Sequence, residues 1–109
     1  MDNPLEEKIR INLLYDAYGA LLTEKQRRYV EYYYRDDYSL SEIARLTEVS
    51  RNAVHEQLGI AVGHMETYEE ALGVVRMRRT AAAIQARLAK LGVEDPALTR
   101  LFGEFEITE

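Results

Sequence analysis

Residues 39–54, SLSEIARLTEVSRNAV, contain two helix starts a short distance apart, and this pattern constrains the fold more than any other feature of the chain. Ser39 and Glu42 have the spacing of a capping box. In this motif the serine hydroxyl accepts from the backbone amide of the glutamate, and the glutamate carboxylate accepts from the backbone amide of the serine. Ser50 is a second N-cap residue, which can open the following helix. Two short helices joined by a tight turn are therefore expected here.

The apolar residues of this segment have the spacing of a helix-turn-helix. Ala44 is small at the point where the two helices would cross, and Ile43 and Val49 would face the core beneath the turn. Val54 and Leu58 lie four residues apart on the inner face of the second helix. The pattern predicts a helix-turn-helix, although two amphipathic helices that meet at a turn by chance would give a similar one. The exposed start of the second helix carries four candidate nucleic-acid-binding residues: Ser50, Arg51, Asn52 and His55.

Helix signals continue on the N-terminal side and predict an all-α fold. Asn3 can cap a first helix with Pro4 at its first position. This helix should end near Leu22. Its predicted buried stripe consists of Leu5, Ile9, Leu13, Tyr15, Tyr18, Leu21 and Leu22. Thr23 and Gln26 form a further capping box, which opens a second helix that runs to about Tyr34.

The C-terminal side is also predicted to be helical. The helix after Ser39 should end near Leu46. Residues 51–91 contain no proline and predict either one long helix or two in line. Gly92 suits a C-terminal cap, and Asp95 followed by proline suits the start of a short last helix.

Charge is distributed unevenly along the chain. The formal net charge is -5, yet residues 73–93 contain five bases and no acid. In a helix, four of these bases fall within a narrow angular sector, called here the basic stripe: Arg76, Arg79, Arg87 and Lys90. The stripe fits a solvated helix face, a phosphate site or a site for an acidic protein surface. We therefore divide one domain, 1–109, into a helix-turn-helix core at 4–72 and a region at 73–109 with the basic helix, the short helix and an acidic tail.

An apolar seam follows the same long helical region. Its members recur at spacings of three and four, with one phase slip: Leu58, Ala61, Met65, Tyr68, Leu72 and Val75, then Met77, Ala81, Ile84, Leu88 and Leu91. One small domain has little room to bury a seam of this length. The seam predicts a homodimer formed through the long helix.

Several classes of function find no support in the sequence. The chain has no cysteine, and His55 and His64 lack a partner at metal-ligand spacing. No phosphate-binding glycine loop or nucleophile–base arrangement is present. No apolar run approaches the ~18 residues of a membrane span, and the acidic N-terminus is unlike a signal peptide. We expect a cytoplasmic protein that is not an enzyme and has no cofactor and no small-molecule substrate.

The tyrosines of the second helix allow two interpretations. A row of tyrosines could stack on unpaired bases. Helical spacing instead places Tyr29 and Tyr33 on one side and turns Tyr32 and Tyr34 away from them. This spacing favours core packing with the hydroxyls at the rim.

Three stretches, LYDAYGALLTEKQRRYVEYYYRDDYSLSEIA, VSRNAV and YEEAL, resemble the YlxM family of small bacterial proteins over residues 13–72. The resemblance implies a fold similar to the promoter-reading C-terminal domain of sigma factors. It also implies a regulatory role in the signal recognition particle pathway, beside whose genes the family is encoded. The family usually has a bulky apolar residue and then glycine in the turn, where this chain has Thr47 and Glu48. Either Glu48 adopts an uncommon positive φ, or a shifted turn brings Leu46 into the apolar place.

The leading hypothesis is a regulatory helix-turn-helix protein that binds nucleic acid or a component of the signal recognition particle pathway, either its RNA or a protein. One alternative is a sequence-specific transcription regulator that binds DNA. Another is a dimeric adaptor protein without nucleic-acid binding, in which the helix-turn-helix is only a scaffold and the long helix carries the binding. A recognition helix fits the DNA major groove but not that of duplex RNA, so RNA would have to use the basic stripe or unpaired bases. Generic duplex DNA should bind weakly and with strong salt dependence.

Overall fold

The computed structural model describes residues 4–105, which form α-helices joined by short connections. In chain order these are α1, Pro4–Tyr18; α2, Glu24–Val30; α3, Leu40–Thr47; α4, Arg51–Leu72; α5, Val74–Lys90; and α6, Pro96–Gly103. A 3-10 turn, Gly19–Leu21, follows α1, and a π-helical segment, Glu31–Arg35, extends α2. The described residues contain no strand. The predicted all-α fold is confirmed.

Capping boxes begin α2 and α3, as the sequence predicts. The Thr23 hydroxyl accepts from the Gln26 amide at 3.1 Å, and the Gln26 side chain accepts from the Thr23 amide at 3.0 Å. Ser39 and Glu42 make the same reciprocal pair, with both distances 3.0 Å. Each box satisfies amides that have no partner within the helix. Asn3, the predicted cap of α1, lies outside the described residues.

The buried face of α1 differs from the predicted stripe. Ile11, Leu14 and Tyr18 are buried, and Leu22 is buried after the helix. Three residues of the predicted stripe are more than half exposed: Leu5, Ile9 and Leu21. Apolar residues occur on several sides of α1, so the composition of the helix does not select one face. The spacings of three and four from Ile11 to Tyr18 define the face that packs.

The π-helical segment alters the orientation of the tyrosines. In this segment the Asp36 amide donates to the Glu31 carbonyl five residues back, at 2.9 Å. Tyr29, before the segment, is buried, whereas Tyr33 is 36% exposed, so the prediction that they share one face is wrong. The i to i+5 pattern puts more residues in a turn than an α-helix has and rotates later side chains out of α-helical phase.

The chain divides into two compact units, with the boundary between Ala71 and Leu72. The first unit contains α1, α2, α3 and nearly all of α4. Its core side chains are at most 5% exposed and come from each of these helices: Ile11, Leu14, Tyr18, Leu22, Tyr29, Val30, Ile43, Val54, Leu58, Ala61 and Met65. The seam residues Leu58, Ala61 and Met65 are among them. This part of the predicted dimer seam is therefore buried within the chain itself and needs no partner.

Polar contacts join the C-terminal half of α4 to α1. The Arg10 guanidinium donates two hydrogen bonds to the Glu66 carboxylate, both at 3.0 Å, and this pairing raises the pKa of Arg10. The Tyr18 hydroxyl donates to Glu69 at 2.5 Å, and its ring lies 5.9 Å from that of Tyr68. With the buried residues of α4, these contacts hold the helix along much of its length. The start of α4 therefore belongs to a helix that is anchored to the core of the first unit.

Gly73 separates α4 from α5, so two helices form where the sequence allowed either one or two. Its φ of 64° is in the left-handed region that glycine adopts without strain. The Arg76 side chain covers this glycine closely, because a Cβ at position 73 would lie 2.9 Å from the guanidinium. The Arg76 side chain is exposed and can move away, so the positive φ is what favours glycine at the break.

The second unit contains α5 and α6. After α5, Gly92 adopts a φ of 76°, and the Val93 amide donates to the Leu88 carbonyl at 2.9 Å in a Schellman arrangement. The Asp95 carboxylate accepts from the Ala97 amide at 2.9 Å and caps α6. The predicted caps at Gly92 and Asp95 are confirmed. None of the helices in the described residues is long and apolar enough to cross a membrane.

Candidate nucleic-acid interface

The predicted helix-turn-helix is formed by α3, the turn after it and the start of α4. Ile43 and Val54 are fully buried and Leu58 is 5% exposed, so the residues predicted to face the core do so. Ala44, predicted to be small where the helices cross, is half-buried. The Thr47 hydroxyl donates to the Ile43 carbonyl at 2.6 Å and closes the last turn of α3. The motif thus rests on a packed core.

Glu48 forms the turn in a left-handed conformation, with φ 59° and ψ 40°. This geometry directs the Glu48 amide to the Ala44 carbonyl, which also accepts from the Val49 amide at 3.1 Å. Leu46 is 56% exposed, so the shifted turn that would bury it does not occur. A glutamate therefore occupies a backbone conformation that favours glycine.

The first turns of α4 bring together the candidate residues of the helix-turn-helix. The Ser50 hydroxyl accepts from the Ala53 amide at 3.0 Å and caps the helix as predicted. Arg51, Asn52 and His55 are all exposed. Spacings of three and four place Arg51 and Asn52 beside His55 on one face. The positive end of the helix dipole adds to the attraction for an anionic ligand.

His55 also borders an aromatic groove. The groove has a volume of about 640 Å³, and its lining includes Tyr33, Tyr34 and Tyr38. Burial raises the pKa of Tyr34 to about 12, and the nearby Glu7 contributes in the same direction. This tyrosine therefore keeps its proton at neutral pH and remains a hydrogen-bond donor beside α4.

Acidic residues reduce the positive charge of this interface. Glu48 in the turn and Glu56 on α4 are both exposed near Arg51 in the sequence. Only Arg45 on α3 and Arg51 on α4 supply cations from the motif itself, within residues 39–58. The helix-turn-helix therefore has the shape of a DNA reader with little excess positive charge.

Two further cations, which the sequence analysis did not single out, lie beside the turn. Lys25 and Arg28 of α2 line a surface hollow of about 420 Å³ with Leu46, Thr47 and Val49. The sequence signal was the run EKQRR at the start of the helix that precedes the motif. Its relation to the turn depends on how α2 packs, which the run itself does not indicate.

The residues of the basic stripe lie on α5 and therefore belong to the second unit. All four are exposed there: Arg76, Arg79, Arg87 and Lys90. Beside this stripe on α5, an apolar row repeats every seven residues and is 48 to 62% exposed: Met77, Ile84 and Leu91. The predicted site residues thus form two groups, one on α4 of the first unit and one on α5 of the second.

Metal chemistry has no site among residues 4–105. Their histidines, aspartates and glutamates form no group of three that could hold a metal ion. His55 and His64 are exposed on α4 without such a group.

The sequence matches the model of the protein family "UPF0122: Putative helix-turn-helix protein, YlxM / p13 like" over residues 5–101. It is 50% identical over 84 residues to UPF0122 protein GK1195 of Geobacillus kaustophilus, covering 77% of this chain and 76% of that protein. UPF0122 protein ABC2295 of Shouchella clausii is 42% identical over 94 residues, or 86% of each chain. UPF0122 protein lin1916 of Listeria innocua is 51% identical over 71 residues, which are 65% of this chain and 64% of that protein.

Proposed function

The chain belongs to the YlxM/p13-like family of helix-turn-helix proteins, and we propose that it is a regulatory protein that binds duplex DNA through the start of α4. The observation that carries this proposal is the exposure of Arg51, Asn52 and His55 on one face of a helix whose core side is fully packed. A recognition helix requires both properties. A nucleic-acid partner also places the protein in the cytoplasm, and no part of this role requires catalysis.

The side chains at this position have the chemistry of base recognition. Arginine can donate two parallel hydrogen bonds to guanine, and asparagine can pair with the major-groove edge of adenine. The Ser50 cap fixes the first turn of α4, so Arg51 and Asn52 start from an ordered backbone. Glu48 and Glu56 oppose phosphate, so specificity must come from base contacts more than from generic attraction.

Selection from a pool of random-sequence duplex DNA tests this function. We expect the wild type to enrich a sequence that it binds at least ~10³-fold more tightly than the unselected pool. Arg51→Ala with Asn52→Ala should remove this preference while circular dichroism shows an unchanged helical content, because both side chains are exposed. Arg79→Ala with Arg87→Ala is the matched control, since it also removes exposed charge but from α5. No enrichment by the wild type would refute the proposal.

A second candidate is binding of RNA or of an acidic protein through the basic stripe. It is favoured by α5, which carries five exposed or half-exposed bases and no acid. A component of the signal recognition particle pathway would be a partner of this kind, as the sequence resemblance implies. Affinity capture of the tagged chain from cells should then recover such an RNA or protein. Reversal of Arg79 and Arg87 to Glu should abolish binding of this partner, while Arg51→Ala with Asn52→Ala leaves it intact. The reverse pattern would exclude the stripe and favour the helix-turn-helix.

We also propose a homodimer formed through α5. The apolar row of Met77, Ile84 and Leu91 is exposed and repeats every seven residues, as one of the two core positions of a coiled-coil heptad does. Ile84→Glu should convert a dimer to a monomer in light scattering at tens of micromolar protein, because it places a charge in the centre of the seam. Ala82→Glu, at an exposed position outside both the apolar row and the basic stripe, should leave the dimer intact. A wild-type monomer at these concentrations would refute this proposal.

A further inference from the structure

The hollow between α2 and the helix-turn-helix turn is a distinct feature of the first unit. We infer that Lys25 and Arg28 bind the sugar-phosphate backbone of duplex DNA in this hollow, beside the strand that α4 contacts. The inference rests on the proposed function and adds to it a site on a helix outside the motif. The hollow has a volume of about 420 Å³, and Thr47 and Val49 line it together with the two cations.

The two cations lie on the same side of α2 and are available to a ligand. They are three residues apart, which places them on one helical face. The Lys25 ammonium lies 5.9 Å from the ring centroid of the buried Tyr29, which supports the side chain. In the described part of the chain, no carboxylate lies within ion-pair distance of Lys25.

Arg28 has one competing partner. It pairs with Glu24 at 2.7 Å, and the side chains of this pair are 65% and 72% exposed. An exposed pair four residues apart on a helix is weak and is screened by salt. A phosphate, which can accept two hydrogen bonds from a guanidinium, can therefore displace Glu24 from Arg28.

The position of the hollow connects it to the DNA reader. Val49 lines the hollow, and Ser50 and Arg51 follow it directly at the start of α4. When bases face the start of a recognition helix, the backbone of the same duplex passes over the neighbouring protein surface. Leu46, which is 56% exposed, and Tyr32 also line the hollow and offer apolar surface to a sugar. The hollow therefore combines cations for phosphate with apolar surface for the deoxyribose.

Arg27 provides a matched control on the same helix. It is exposed like its neighbours but does not line the hollow. Its charge acts instead near the hydroxyl of Tyr15 in α1. Burial and Glu31 raise the pKa of Tyr15 to about 12, and the positive charge of Arg27 partly offsets this rise. Substitution of Arg27 thus removes a positive charge from α2 on another side of the helix.

The experiment measures binding of the full chain to a fluorescent, random-sequence DNA duplex over a range of salt concentrations. If the two contacts are lost in Lys25→Gln with Arg28→Gln, the slope of log affinity against log salt should fall by about 1.8, and affinity at about 0.15 M salt should fall roughly 30-fold. Arg27→Gln should leave the slope nearly unchanged. The charge-preserving variant Lys25→Arg with Arg28→Lys should retain most of the binding, which separates loss of charge from loss of fold.

Each outcome decides a different claim. An effect of Arg27→Gln on the salt slope about half that of the double variant, which removes twice the charge, would overturn the inference, because charge alone and not the hollow would then matter. An unaffected double variant, combined with loss of binding in Arg51→Ala with Asn52→Ala, would overturn the hollow and leave the proposed function standing. Loss of binding only in the double variant would support the hollow as the source of affinity for generic DNA, whereas base reading by α4 is decided by the selection experiment. A wild type that does not bind the duplex even at low salt would refute both.

Discussion

Glu48 should weaken the fold at the position where it forms the turn. Its φ is 59°, a positive value that is uncommon for a non-glycine residue. Its side chain is exposed and makes no hydrogen bond or ion pair with another residue of this part of the chain. Replacement by glycine therefore relieves backbone strain without removing a side-chain contact. We expect Glu48→Gly to be more stable than the wild type.

The magnitude follows from two opposing effects. A left-handed conformation costs a non-glycine residue about 1–2 kcal/mol, whereas the greater freedom of glycine in the unfolded chain costs about 0.4–1 kcal/mol. The net gain is about 0.5–1 kcal/mol, which corresponds to a rise in Tm of about 2–8 °C for a domain of this size. Urea denaturation followed by circular dichroism measures the free energy, and thermal unfolding measures Tm.

Two control variants separate strain from charge. Glu48→Ala removes the carboxylate but keeps the Cβ, so its stability should be close to that of the wild type. Glu48→Asn should lie between alanine and glycine, because asparagine tolerates the left-handed region better than most residues. If the glycine variant were no more stable than the alanine variant, the turn would not be strained at Glu48, and the reasoning would be refuted.

Three further predictions concern the core and the caps. Ile43→Ala should cost about 2–5 kcal/mol in urea denaturation, whereas Leu46→Ala should change stability by less than about 0.5 kcal/mol, because Ile43 is fully buried and Leu46 is 56% exposed. Tyr18→Phe should cost about 1–3 kcal/mol in the same assay, since it removes the donor to Glu69. Hydrogen bonds from Ser39 lower the pKa of Glu42, so its contribution to stability is present above the ordinary glutamate pKa and is lost as pH falls through the folded value. Thermal unfolding from neutral to acidic pH should therefore show a larger loss for the wild type than for Glu42→Gln.

Local signals made the helix-turn-helix and its caps predictable from the sequence. A capping box depends on residues three apart, and the hydroxyl of Ser50 acts within the first turn of its own helix. The left-handed Glu48 was also anticipated, as one of two geometries for the turn. Such features require no knowledge of distant parts of the chain.

The features that were missed depend on packing between helices. The buried face of α1 is set by what lies against it, and apolar residues on several sides left the choice open. The π-helical segment shifts the phase of the tyrosines after Tyr29 without a proline or glycine to signal it. Lys25 and Arg28 meet the turn only because α2 packs beside it. The candidate site on α4 was therefore found from the sequence, whereas the hollow required the structure.

The number of cations near the turn limits how tightly one chain can hold DNA. Arg51 is assigned to the bases, so Lys25, Arg28 and the exposed Arg45 in the last turn of α3 allow about three phosphate contacts. With three contacts, affinity should fall roughly 40-fold between about 50 and 200 mM salt. Proteins with six to ten such contacts lose about 10³- to 10⁵-fold over the same range. One chain should therefore hold generic DNA only weakly near physiological salt.

Dimerisation through α5 would double these contacts by bringing two helix-turn-helix motifs to one duplex, as dimeric readers do with paired half-sites. Ile84→Glu should then lower the salt slope for the selected DNA sequence to about half of its wild-type value, from about -5.4 to about -2.7. Salt titrations of both proteins by fluorescence anisotropy measure the two slopes, with Ala82→Glu as the control that should match the wild type. An Ile84→Glu protein that is monomeric yet keeps the full slope would show that one chain makes all the phosphate contacts, and the link between dimerisation and DNA affinity would be wrong.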